Sequence, residues 1–221
     1  MYQLEEQENA CLLRPQQPAT HAIIWLHGLG ADGYDFVELM PQFKLPTECQ
    51  VLSIFPHAPV QSVTINGGRP MRAWYDIRTT DLLGDVDEAG IRVASQKIHH
   101  WIEYCLTQGL TADKIILAGF SQGGVIALHV GLGGQQPLAG VLALSTYCPL
   151  AKTLNQHKET PITMMHGLND PIVPLAVAEA SKKVLSKNGY QVAWRAYPMQ
   201  HQLCAEQVQD IEQWLIEIFC H

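Results

Sequence analysis

The chain has 221 residues, of which 47 % are apolar and 16 % charged, and it carries a net charge of −7. A chain of this length buries roughly 70 % of its unfolded surface, so it holds a core without staples. The acidic balance, with a pI near 5.7, argues against nonspecific nucleic-acid binding and against an anchor on an anionic membrane.

Taken in chain order, Met1 to Glu8 has neither a basic start nor an apolar run, and no stretch approaches a membrane span. The expectation is therefore a cytoplasmic protein with no stable membrane insertion. Ala22–Leu26 is a short, continuously apolar run, the pattern of a strand buried on both faces. Val51–Phe55 repeats it and stops at Pro56. The region from Pro56 to Gly90 is rich in proline and glycine and reads as the longest irregular segment, of the kind that often carries function. Residues 89–108 place Ile91, Ala94, Ile98, Trp101, Ile102 and Cys105 on one helical face. Further buried strands are predicted at Lys114–Ala118, Gly140–Leu144 and Ile162–Met165, and an edge-ward strand at Gln191–Tyr197. Residues 175–187 and 204–219 read as helices. Alternating strands and helices imply a mostly parallel sheet covered on both faces. No linker interrupts the pattern, so a single domain over residues 1–221 is expected. The six cysteines are scattered with no paired spacing, as for free thiols in a reducing compartment.

The most informative segment is Gly119-Phe120-Ser121-Gln122-Gly123, a G-x-S-x-G pentapeptide where a strand pattern gives way to a helical one. A serine hydroxyl is a poor nucleophile unless a sharp turn presents it beside a base, and flanking glycines relieve the crowding of such a turn. Active sites of open α/β sheets lie outside the carboxyl ends of the strands. Ser121, Asp170 and His201 each follow a predicted strand, in the order Ser…Asp…His. The chemistry assigns Ser121 as nucleophile, His201 as general base and then acid, and Asp170 as the group that fixes the imidazole. Among ten histidines, His99, His100 and His129 fall within helices. His27 and His166 precede glycines at strand ends, near the site without being the base. The oxyanion needs donors placed in advance, and the backbone N–H groups of Leu29, in His27-Gly28-Leu29-Gly30, and of Gln122 are the candidates. No H-E-x-x-H or Cys/His cluster is present, so metal is not expected.

Leu26 to Gly33, Gly119 to Gly124, Gly167 to Pro174 and His201 together resemble the phospholipase/carboxylesterase family, which includes acyl-protein thioesterases and small bacterial carboxylesterases. Pro56-His57-Ala58-Pro59, Val63 to Gly68, Met71 to Ile77 and Asp87 to Ile91 match its pattern as well. The resemblance implies a compact, nearly lidless α/β-hydrolase fold, cofactor-free, acting on esters or thioesters. It also implies that Trp74 contacts substrate, together with Leu82 and Leu83. Arg78-Thr79-Thr80-Asp81 departs from the more apolar loop of long-chain thioesterases. With each buried methylene worth about 0.8 kcal/mol, a carboxylesterase favouring short or medium chains is expected. The alternative is an acyl-protein thioesterase or lysophospholipase. A catalytically silent binding protein is the reading from a different class. Expected partners are a small-molecule or lipid ester or thioester, and an acylated protein in the alternative, with the chain a monomer or weak homodimer.

Overall fold

The computed structural model describes residues 2–220. Eight strands form one sheet in the order β1-β2-β4-β3-β7-β8-β9-β10. Its centre is β3 (His21–Leu26), flanked by β4 (Val51–Pro56) and β7 (Ile115–Phe120). Beyond β7 lie β8 (Gly140–Leu144), β9 (Ile162–Gly167) and β10 (Val192–Tyr197). These six run parallel. The chain moves from β3 to one side for β4 and to the other for β7, so the sheet reverses its order at β3. Ligands of doubly wound sheets bind at such a point.

Residues alternate between the two faces of each strand, as the period of two requires. Ala22, Ile24 and Leu26 join one buried cluster with α1 (Glu88–Thr107), α2 (Gln122–Gly133) and Leu185 of α3 (Leu175–Lys187). Ile23 and Trp25 join a second with residues 36–43 and α4 (Ala205–Phe219). Helices therefore cover both faces of the sheet. β3 and β8 are buried at every position and β7 at all but its last, Phe120, which is why they read as unbroken apolar runs.

Two hairpins were not expected from the sequence. β1 (Tyr2–Gln7) and β2 (Ala10–Pro15) extend the sheet antiparallel beyond β4. β1 pairs with β2 alone and is mostly exposed, so its side chains carry no alternation to detect. The second hairpin pairs β5 (Val60–Val63) with β6 (Arg69–Arg72) inside the segment read as irregular. Gly67 and Gly68, both at positive φ, turn it, and that pair is the local cue for a hairpin.

Ile24→Ala, at a fully buried position of β3, is expected to cost about 2–5 kcal/mol of unfolding free energy. Leu4→Ala, at a position 46 % exposed, is expected to stay within about 0.5 kcal/mol of the parent. Urea denaturation checks both, and equal losses would contradict this placement of the core.

Candidate active site

The carboxyl ends of β3, β7, β9 and β10 deliver four loops to one edge of the sheet. Ser121 sits between β7 and α2 with φ 54° and ψ −120°, a strained conformation for a residue with a Cβ. The turn is tight because β7 and α2 nearly touch. A Cβ on Gly119 would meet the Gly123 backbone, and one on Gly123 would run into Leu26 O of β3. The elbow is held from the next strand: Ser121 N–H donates to Leu144 O at 2.9 Å, and Thr146 Oγ1 donates to Ser121 O at 2.6 Å.

The structure brings Ser121, His201 and Asp170 together. Ser121 Oγ is 2.9 Å from His201 Nε2, and His201 Nδ1 is 2.7 Å from Asp170 Oδ2. The Asp170 side chain is fully buried, whereas that of His201 is 16 % exposed. A buried carboxylate must be hydrogen-bonded. Asp170 Oδ1 accepts the N–H groups of Ile172 and Val173, both at 2.9 Å. Its loop is stitched to the histidine loop, since Leu168 N–H donates to Tyr197 O at 2.8 Å and Asn169 N–H to Met199 O at 3.1 Å. The Phe120 ring lies 4.7 Å from the His201 ring and tilts 47° to it. In the sequence Phe120 is one of the two unspecified positions of the G-x-S-x-G pentapeptide. Nothing in the letters marks it, because the contact joins two distant loops.

Leu29 is half-buried in the turn after β3, next to the elbow, where a Cβ on Gly28 would lie 3.5 Å from Ser121 Cβ. Its N–H has no hydrogen-bond partner among the described residues, whereas Gly30 N–H is taken by Arg72 O at 2.8 Å. Gln122 is the first residue of α2, so its N–H has no intrahelical acceptor. Its side chain has a task that the sequence reading left aside. Trp74 N–H donates to its Oε1 and its Nε2 donates to Tyr75 O, both at 2.7 Å.

That pinning places Trp74 differently from the expected groove contact. Trp74 is 2 % exposed and packs in the core, with Nε1–H donating to His27 O at 2.9 Å. It braces the loop that carries Leu29, and its edge lines a separate cavity with His57, Lys97, His100 and Trp101. Leu82 packs against the core, and Leu83 lines a cavity of about 140 Å³ with Cys148, Pro149, Ala151, Ser181 and Val184. The polar residues before them do not line this cavity. Arg78 turns onto Asp85 at 3.0 Å and Asp87 at 3.1 Å, and Asp81 accepts Leu83 N–H within its own turn.

The other histidines near the site are committed elsewhere. Ala58 N–H donates to His27 Nε2 at 3.0 Å, so the proton is on Nδ1, which donates to Gly28 O at 2.7 Å. Burial pushes the His27 pKa down to about 4. His166 donates from Nε2 to Val173 O at 2.8 Å, and burial lowers its pKa too.

Comparison with known proteins agrees with this architecture. Residues 7–218 match the model of the phospholipase/carboxylesterase family. The chain belongs to that family. Acyl-protein thioesterase 1 of Neurospora crassa is 36 % identical over 212 residues, covering 90 % of this chain and 86 % of the relative. The Gibberella zeae acyl-protein thioesterase 1 is 34 % identical, covering 89 % of each. Among solved structures, Arabidopsis thaliana SOBER1 superposes with a TM-score of 0.84 at 29 % identity, covering 90 % of this chain and 99 % of that one. The Bacillus cereus carboxylesterase, at 20 % identity, shares the fold with a TM-score of 0.75, covering 95 % of this chain and 94 % of that one. The chain is a hydrolase of the thioesterase/carboxylesterase class.

Two outcomes are expected here. Gln122→Leu leaves Trp74 N–H and Tyr75 O unpaired in the interior, at a cost of about 1–3 kcal/mol for each group. A urea midpoint equal to the parent's would refute the pinning. Because His27 folds with a depressed pKa, the unfolded chain binds the extra proton. Its contribution is full above pH 6.5 and is lost as pH falls toward 4. In His27→Gln, urea stability measured from pH 7 to 4.5 should fall less steeply than in the parent, by up to about 1.4 kcal/mol per pH unit. Parallel slopes would contradict the neutral assignment.

Proposed function

We propose that the chain is an acyl thioesterase, with Ser121 as nucleophile, His201 as general base and acid, and Asp170 as the group orienting the imidazole. The observation that carries this reading is the unbroken Ser121–His201–Asp170 hydrogen-bond chain on a strained elbow. His201 takes the Ser121 proton as Oγ attacks the acyl carbonyl, then returns it to the leaving thiol or alcohol. Water activated by the same histidine releases the acid. The free N–H groups of Leu29 and Gln122 hold the oxyanion. The chemistry asks that these donors be placed before the charge forms.

Two observations favour the long-chain thioesterase reading over the short-chain carboxylesterase expected from residues 78–81. The relatives at 36 % and 34 % identity are acyl-protein thioesterases. The charge of Arg78 is spent on Asp85 and Asp87, so the residue behind the short-chain expectation is paired within its own loop. An acylated protein or lipid is the substrate class this favours, in a cytoplasmic setting. Among the described residues no helix is long and apolar enough to cross a membrane.

The test is hydrolysis of an S-acyl thioester series from butyryl to palmitoyl, with Ser121→Ala alongside. The reading predicts kcat/KM rising beyond butyryl, by up to about 0.8 kcal/mol per buried methylene, and no turnover in Ser121→Ala. A maximum at butyryl would restore the short-chain carboxylesterase. Turnover by no substrate above the Ser121→Ala control would favour the silent binding protein.

A further inference from the structure

His166 ends up in an arrangement that its place before a glycine does not foretell. It is the next-to-last residue of β9, 1 % exposed, opposite Ala196 of β10. Its Nε2 lies 2.8 Å from Val173 O and 3.5 Å from Asp170 Oδ2. Val173 O only accepts, so the proton must be on Nε2. The ring plane is fixed by Trp194 of β10, stacked at 6.1 Å and 12°. His166 therefore spans the base of the loop that runs from β9 through Asp170 to Val173, and its N–H also faces the carboxylate oxygen that His201 uses.

We propose that His166 is a positioning residue for the Asp170–His201 couple, its Nε2–H locking the Asp170 loop to the end of β9. The inference rests on the triad reading given above. Oδ1 of Asp170 is fixed by two backbone N–H groups, but these belong to the same loop and move with it. The His166 bond to Val173 O and the backbone bonds of Leu168 and Asn169 are what tie the loop to the two strands beneath. An imidazolium here would form a second ion pair with Asp170 and compete with His201 for its charge. Burial, the largest influence, and the Coulomb field of His201 oppose that protonation, while the Val173 carbonyl, Asp170 and Glu179 of α3 favour it, with a net lowering. Lys182 lies over the outer ring of the stack, 5.4 Å from the Trp194 centroid. His166 thus ties the loop with a donor that carries no charge, and places no second cation beside Asp170.

A glutamine carries an amide N–H at about the reach of Nε2, and a leucine carries none. The experiment compares His166→Leu and His166→Gln with the parent chain for kcat and KM on one thioester between pH 5 and 9. Rates are normalised to competent sites counted with a fluorophosphonate. His166→Leu is expected to lose at least about ten-fold in kcat per competent site, with KM within about two-fold, because the defect lies in imidazole orientation. His166→Gln should recover most of the rate. Equal kcat per competent site in His166→Leu and the parent, or a His166→Gln no better than His166→Leu, would overturn the proposal. If His166→Leu does not fold, His166→Asn, whose amide is too short for the Val173 contact, replaces it with the same expectations. A parent chain whose turnover survives Ser121→Ala would instead refute the triad reading. Serine-dependent turnover insensitive to His166 would refute this inference alone.

Discussion

The structure depends most on the backbone of Ser121. A non-glycine residue at φ 54° and ψ −120° costs on the order of 1–3 kcal/mol and persists only where its surroundings over-determine it. Here they do. Gly119 and Gly123 let β7, α2 and β3 approach within distances that exclude any Cβ. Leu144 O and Thr146 Oγ1 hold the turn from β8. The strain lifts Oγ above the sheet and opens the N–H of Gln122 at the head of α2. The proposed nucleophile and oxyanion donor thus come from one distortion.

Around that elbow, strand topology does the work of assembly. Because β3, β7, β9 and β10 are parallel, their outgoing loops meet at one edge. Hydrogen bonds between loops then set the distances. The aspartate and histidine loops are bonded to each other, and the Gln122 side chain is bonded to the Trp74 segment, which in turn holds the His27 carbonyl. Electrostatics follow from the same packing. One carboxylate is fully buried but satisfied by two backbone N–H groups and the His201 imidazole. The neighbouring histidines His27 and His166 are kept neutral by burial.

Much of this is legible in the sequence, for physical reasons. Strands buried on both faces write themselves as apolar runs, so β3, β4, β7, β8 and β9 could be placed to within a residue or two. α3 was bounded at residues 175 and 187, as found, because its apolar face keeps a helical period. Ser121, Asp170 and His201 follow from chain order and strand ends, and the structure puts them in contact. What stayed hidden depends on the other partner of a contact. β1 is an exposed edge strand with no periodicity. Arg78 looked like a polar intrusion into the acyl groove, because its carboxylate partners lie seven and nine residues on. Trp74 looked like a ligand contact, yet its indole N–H is used by a backbone carbonyl 47 residues away in the chain. The packing of Phe120 on His201 has no local signature at all.

The central claim is that the elbow makes Ser121 a nucleophile through His201. The measurement closest to it is peptide mapping after brief exposure to a fluorophosphonate, with His201→Gln treated in parallel. The account predicts a single adduct, on Ser121, whose rate of formation collapses in His201→Gln. An adduct on another serine, such as the buried Ser145, or labelling of Ser121 at the same rate in both proteins, would contradict it.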